Sequence, residues 1–427
     1  MTEAVIDAAP ETNLAERQKS MRRTLIWSNI LSEPLFTLYG FVAFILYKDL
    51  GASAFQIALL TMLKPVVTVL SFYWGAGLRG KEIKLRSNVV WAGIWMRAPF
   101  LLCPWMDSVW FVIGAAVNYM FFYRAAAPAW LEMLKRNMGE KARGKIFSYS
   151  SALGYAEGVV LSLAMGGVLD KNPGLWKILF CVAAIIGLVG VLIQSRVAVE
   201  VPKGEREPLS SSEVVGLKEL LIRPWRDSYR LIRERPDFAR FQWGFMVCGF
   251  GIMLIQPALP LFTVDTLGIT YLEMASAMSI AKGLGFALSS PLWSRWMSQM
   301  SILKVASFVF LTVGLFPILL SFSIWGIVWF YLAYFWYGVG QGGSHLVWNL
   351  SGPSFAGKEE SSRYTGVGIV LAGLRGGIAP PLGGFLAVIW GPVGVLVFGG
   401  LLCFYSGLHL IKMQSSLKMV FYGKIKG

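Results

Sequence analysis

The sequence predicts an all-α integral membrane protein of twelve transmembrane helices, built as two pseudo-two-fold-related six-helix bundles. Three observations carry that prediction. Hydrophobic residues make up 56% of the 427 and charged residues only 15%, against about 25% charged in soluble domains, and the mean hydropathy is +0.59. Apolar runs long enough to cross roughly 30 Å of hydrocarbon as helices recur along the whole chain. The second half of the chain repeats the first.

The runs fall near 26–47, 54–76, 88–105, 109–130, 146–168 and 177–195, and then near 241–264, 272–294, 303–322, 325–348, 364–388 and 391–411. The first is too long for a signal-peptide core and has no small-residue cleavage site after it, so it reads as a retained span. Residues 1–25 form a polar N-terminal tail ending in Arg22 and Arg23 at the start of the first span. The first bundle is 26–195 and the second 241–411, with 412–427 as a C-terminal tail. Between the bundles lies a linker, 196–240, in which Val214, Leu217, Leu221 and Trp225 recur at helical spacing against Lys218, Arg223, Arg226, Arg230 and Arg233. That pattern predicts a basic amphipathic helix on the membrane surface.

The repeat has an offset near 217 to 220 residues. Leu50-Gly51 matches Leu267-Gly268, Lys64 matches Lys282, Trp130 matches Trp348, and Glu140-x-x-Arg143 matches Glu360-x-x-Arg363. Glu157-Gly158 falls opposite Arg375-Gly376. Six helices plus six, related about an axis normal to the membrane, is a plan used by secondary transporters.

A net charge of +15 would suit nucleic acid, but the placement of the charge argues against that partner. Lysine and arginine crowd the N-terminus, the loops at 78–87, 132–145, 196–240, 295–304 and 350–363, and the C-terminus, whereas the alternate loops hold few. By the positive-inside rule the crowded side, with both termini, is cytoplasmic. The inner membrane of a bacterium is the expected location, and a monomer the expected state. Cys103, Cys181, Cys248 and Cys403 lie inside apolar runs without metal-ligand spacing, which supports neither a disulfide nor a metal site. No phosphate-loop pattern and no nucleophile with its base can be recognised, so neither catalytic residues nor a cofactor are expected and the chain is not read as an enzyme.

These features resemble the major facilitator superfamily over nearly the whole chain. Arg124 in RAAAPAW stands where the family's RxxxG-type motif places an arginine, with Pro128 replacing the usual glycine. EKARGKIFSYSSALGY is similar to the family's loop between helices 4 and 5, and GGIAPPLGG on helix 11 resembles its Gly-Pro-rich motif. The loop GAGLRGKEIKLR keeps the glycine and basic residues of the family's GxxxDRxGRR pattern but lacks its aspartate, and WSRWMSQ after helix 8 lacks it as well. The resemblance implies the major facilitator fold, a seam of helices 2, 5, 8 and 11 between the halves, and a cavity to which helix 10 contributes.

The candidate site rests on charges inside apolar runs, where an ionisable side chain is costly and is by default a functional hypothesis. Lys64, Glu157, Lys282 and Arg375 each lie ten or eleven residues into their run, about half of a 30 Å core at 1.5 Å per residue. Away from the ends of the spans, five basic residues (Lys64, Arg97, Arg124, Lys282 and Arg375) face two acidic ones, Glu33 and Glu157. The excess of cations points to an anionic group on the ligand, with Arg375, Lys64 and Lys282 binding it. The competing reading of Arg375 is packing, by snorkelling or pairing with a neighbouring helix. Glu157, Glu33 and Arg124 are candidates for proton coupling or an ion pair between the halves, with H+ as the candidate coupling ion. Glu157 has a purely structural reading as a partner of Lys282, Glu33 one as a carboxylate bonded to backbone freed by Pro34, and Arg97 is read as structural. Gln256, Gln341, His345, Tyr334 and Trp348 are candidates for lining the cavity.

The function expected is a secondary active transporter working by alternating access on a small organic anion or zwitterion within the lipid bilayer. The alternatives are a proton-coupled exporter of amphipathic drugs, a lipid transporter, and a non-transporting membrane sensor or scaffold that has kept the fold.

Overall fold

Every regular element among the described residues is helical, as runs of apolar residues in lipid require, because a helix satisfies its own backbone polar groups. The computed structural model describes residues 9–76, 85–138, 140–197, 217–357, 359 and 361–425. The first six helices are α1 (Ala9–Lys48), α2 (Ala54–Ala76), α3 (Leu85–Leu101), α4 (Val109–Asn137), α5 (Glu140–Lys171) and α6 (Trp176–Gln194). After α7 (Leu217–Glu234) come α8 (Pro236–Ile255), the short α9 (Ala258–Leu261), α10 (Tyr271–Ser276) and α11 (Lys282–Gln299). The chain ends with α12 (Ile302–Ser321), α13 (Ile327–Ala356) and α14 (Ser361–Ile425). Seven helical stretches among the described residues are long and apolar enough to cross a membrane, and large apolar side chains such as Leu192, Val388 and Val160 are exposed on them.

Several boundaries differ from the expected ones for local reasons. Helix α1 begins at Ala9, inside the stretch read as a tail, and its Met21 and Leu25 are buried against Leu85, Val89 and Met133. Apolar side chains spaced four apart on a polar-looking segment give one packable face. Helix α14 runs through the expected gap between the last two spans but turns at Gly391, whose φ of 73° only glycine adopts freely, with Pro392 starting the next helical stretch. Two π-helical turns, Phe262–Thr266 and Ala277–Ala281, bracket a loop that leads into a Thr270–Glu273 capping box.

The repeat is visible in the backbone. Gly51 and Gly268, which match in the repeat, both close a helix in the left-handed conformation at φ 62°.

Two compact units form, one from Met1–Leu50 with Leu70–Glu213 and the other from Gly51–Val69 with Val214–Gly427. Gly51–Val69, the first part of α2, expected in the first bundle, packs with the second unit. There Gly384 of α14 faces α2 so closely that an added Cβ would lie 2.7 Å from that of Ala58, and Gly376 faces the Pro65 ring. In the same unit the core runs through Phe238 and Phe241 of α8, Val309 of α12, Val347 of α13 and Val367 of α14. Trp293 of α11 donates its ring N–H to the Val339 carbonyl at 2.8 Å, while Gly285 and Gly338 bring the α11 and α13 backbones into direct contact.

The loop motif GAGLRGKEIKLR lies mostly outside the described residues, as do residues 198–216 of the linker and Glu360. The described part of the linker is α7, with Ile222, Trp225 and Tyr229 exposed. Arg235, at the α7–α8 junction, grips Asp237 through two bonds of 3.2 and 3.0 Å, the Tyr364 hydroxyl at 2.8 Å and Glu359 at 3.3 Å. This clamp joins the start of α8 to the segment between α13 and α14 and to the first turn of α14. The bond to Asp237 holds the Arg235 pKa above its ordinary value.

Candidate functional site

In the first unit, α1 and α5 bring together the two carboxylates of the spans. Asn29 donates to Ser150 Oγ at 2.7 Å and fixes α1 against α5. Further along the same face, Glu33 lies over Gly154 and Gly158, and a Cβ on Gly158 would sit 2.7 Å from Glu33 Oε1. Glycine at 158 is thus what admits the carboxylate. Thr37, one turn on, donates to Oε1 at 3.5 Å. Glu157 is half-buried, is an electrostatic neighbour of Glu33, and has one carboxylate oxygen buried without a hydrogen-bond partner among the described residues.

Beside them, α1 and α4 carry a ladder of aromatic rings. Tyr39 stacks on Tyr119 at 4.6 Å, Tyr119 on Tyr123 at 5.9 Å, and Tyr123 on Phe36 at 6.0 Å. Arg124 is exposed, has its guanidinium 6.0 Å from the Tyr123 ring centre, and has no carboxylate at ion-pair distance among the described residues. Arg97 is only 3% exposed and is held by protein groups, donating to Gly93 O at 2.9 Å and Ser32 Oγ at 2.8 Å, with its stem against Gly187. That placement fits a structural arginine.

In the second unit, Arg375 of α14 is 7% exposed and turned toward α8. It donates to the Phe245 carbonyl at 2.8 Å, lies 4.8 Å from the Phe245 ring centre and fills the space left by Gly249, while its Nε has no partner among the described residues. Phe245 in turn packs on the exposed Trp348 at 5.6 Å, so Arg375 and Trp348 belong to one stack. Glu157 and Arg375, opposite each other in the repeat, lie on α5 and α14, which pack against α1 and α8 respectively. Lys64 is half-buried on α2, and Lys282 is half-buried with its ammonium 5.7 Å from the Tyr337 ring centre, directly after a π turn, a feature common at functional sites.

The remaining candidates are dispersed. Gln256 caps α8 and is half-buried, as is Gln341. His345 is exposed and packs edge-on to Phe286 at 5.9 Å. Tyr334 is a core residue, its hydroxyl on Met274 Sδ at 3.6 Å and its ring among Phe316 and Phe330. The rings that the charge-based reading of the sequence passed over are Phe36, Tyr119, Tyr123 and Phe245. The signals were present, since Phe36 follows Glu33 by three residues and Tyr119, Tyr123 and Arg124 have helical spacing, but aromatic residues in apolar helices are too common to single out.

A family model described as Major Facilitator Superfamily matches residues 25–380. No curated protein sequence matches. Among solved structures, the nucleoside transporter NupG has 14% identity and a TM-score of 0.65, covering 92% of this chain and 98% of its own. The peptide transporter POT in complex with sulfate has 14% identity and a TM-score of 0.67, covering 93% and 94%. A POT family transporter in complex with a thioalcohol-conjugated peptide has 13% identity and a TM-score of 0.64, covering 95% and 96%.

Proposed function

This chain belongs to the major facilitator superfamily of membrane transporters and moves a small solute, and from that premise we propose that the solute is an organic anion or zwitterion, carried by alternating access with a proton as coupling ion. The observation that carries the proposal is the sorting of the buried charges. Glu33 and Glu157 sit together in the first unit, where the buried Arg97 is held by Gly93 and Ser32, while Lys64, Lys282 and Arg375 belong to the second. Basic side chains this far inside the membrane favour an anionic group on whatever reaches them, and a carboxylate pair is suited to taking up and releasing one proton. Similarity of fold to nucleoside and peptide transporters supports a polar organic solute.

In this reading Lys64 and Lys282 receive the anionic group, and Arg375, anchored on the Phe245 carbonyl, orients the Phe245–Trp348 stack. We take the stretch from α10 to α11 as one span and the two parts of α14 as two, for twelve in all, so that both termini share a side, which the basic loops make the cytoplasmic one.

The test is uptake of a panel of labelled small acids, amino acids and neutral solutes into proteoliposomes under an imposed proton gradient. Lys64→Gln and Lys282→Gln are expected to weaken anion transport at least about tenfold, the effect of losing roughly one charge-assisted hydrogen bond, and to leave neutral solutes unaffected. Unchanged anion affinity in both variants would overturn the anionic reading, and absence of flux for every solute would favour a sensor or scaffold.

A further inference from the structure

We propose that the exposed end of the aromatic ladder on α1 and α4, Phe36 and Tyr123 with Arg124 beside them, is the surface on which a planar aromatic or heteroaromatic ring of the transported anion stacks. The inference rests on the organic-anion reading above and names the substrate class more narrowly.

Four rings stack in sequence, and their exposure is graded. Tyr39 and Tyr119 are buried at 6% and 3%, whereas Tyr123 and Phe36 are 42% and 47% exposed. The buried end is further fixed by Phe100, edge-on to Tyr119 at 6.0 Å. A stack that is rigid at one end and open at the other is preorganised to accept one more ring with little loss of side-chain freedom.

Exposed rings on a membrane helix ordinarily face lipid. Here the same surface carries Arg124 next to Tyr123 and Glu33 one turn from Phe36, and neither charge is stable against hydrocarbon. The Arg124 guanidinium lies 6.0 Å from the Tyr123 ring centre, at the exposed end of the ladder. A guanidinium held that way, over a ring face and with no carboxylate among the described residues, can donate two parallel hydrogen bonds to an acid group carried by a stacked ring. The chemistry that fits is an aromatic acid, with the ring on Tyr123 and Phe36 and the acid group toward Arg124.

The experiment compares 2-naphthoate with decahydro-2-naphthoate, which has the same charge and carbon skeleton but no π system, by equilibrium binding to the full-length protein in nanodiscs. The aromatic acid is expected to bind about fivefold tighter, the size of a favourable ring stack. The double variant Phe36→Leu/Tyr123→Leu should abolish that preference, Tyr123→Phe should keep it, and Arg124→Gln should weaken both acids about tenfold or more. Equal binding of the two acids, no binding of 2-naphthoate, or a preference that survives in the double leucine variant would each overturn the proposal. If a non-aromatic acid such as succinate is transported in a Lys64- and Lys282-dependent way while the two naphthalene acids behave alike, the ring assignment fails and the anion reading stands. If no acid of any kind binds or moves, both fall.

Discussion

Gly249 on α8 lies directly beneath the guanidinium of Arg375 on α14, so the side chain missing from one residue is the room occupied by the charge of the other. The Phe245 carbonyl, one turn earlier on α8, accepts a hydrogen bond from that guanidinium at 2.8 Å.

The pair predicts a coupled pattern of stability. Gly249→Ala should cost about 1–3 kcal/mol, as overpacking does in well-filled cores. In an Arg375→Met background, where the flexible thioether can move aside, the same substitution should cost much less, a coupling of at least about 1 kcal/mol. Thermal unfolding of the four proteins in nanodiscs measures it, and additive effects would show that the two residues do not share the space.

The carboxylate pair predicts a separation of transport modes. Glu33→Gln leaves no ionisable partner for Glu157 and should abolish accumulation driven by a proton gradient, while exchange of labelled for unlabelled solute at equal pH continues at near the original rate. Gly158→Ala should displace the Glu33 carboxylate, since its Cβ would lie 2.7 Å from Oε1, and should weaken proton-driven uptake without removing a charge. Proteoliposome uptake with and without the gradient distinguishes the two modes.

Helix α14 carries glycines of two kinds. Gly384→Val should destabilise by about 1–3 kcal/mol, because the added atoms meet Ala58 and the Ala54 carbonyl of α2. Gly366→Ala, where nothing lies within 4 Å, should instead stabilise by about 0.5–1 kcal/mol through helix propensity. A shift of both variants in the same direction would contradict the close contact at Gly384.

The Arg235 clamp is partly exposed, with side-chain exposures of 33% for Arg235, 41% for Asp237 and 48% for Glu359, so solvent and salt reduce its contribution. Arg235→Ala should cost about 1–2 kcal/mol at low ionic strength, and the deficit should shrink in about 1 M salt, where the screening length falls to about 3 Å. Arg235→Lys should recover only part, because an ammonium cannot reproduce the two-pronged grip on Asp237. Melting curves across ionic strength test both statements.

Much of this protein was legible before folding was considered. The cost of a polar or charged group in hydrocarbon is paid residue by residue, so apolar runs, basic loops, the duplicated Leu-Gly turns at Gly51 and Gly268, and the few charges inside spans can all be read along the chain. Glu33 and Glu157 were visible as charges for that reason. That they share one glycine-lined face was not, because it depends on how α1 is rotated against α5.

The tertiary structure alone decided which groups meet. It turned Arg375 onto the α8 backbone and Phe245, assembled four separated aromatic residues into a graded stack beside Arg124, and joined Gly51–Val69 to the second unit through Gly376 and Gly384. Each outcome depends on where a side chain points around its helix and on how closely a glycine lets the next helix approach. Those are properties of pairs of helices, and the order of residues in one helix does not contain them.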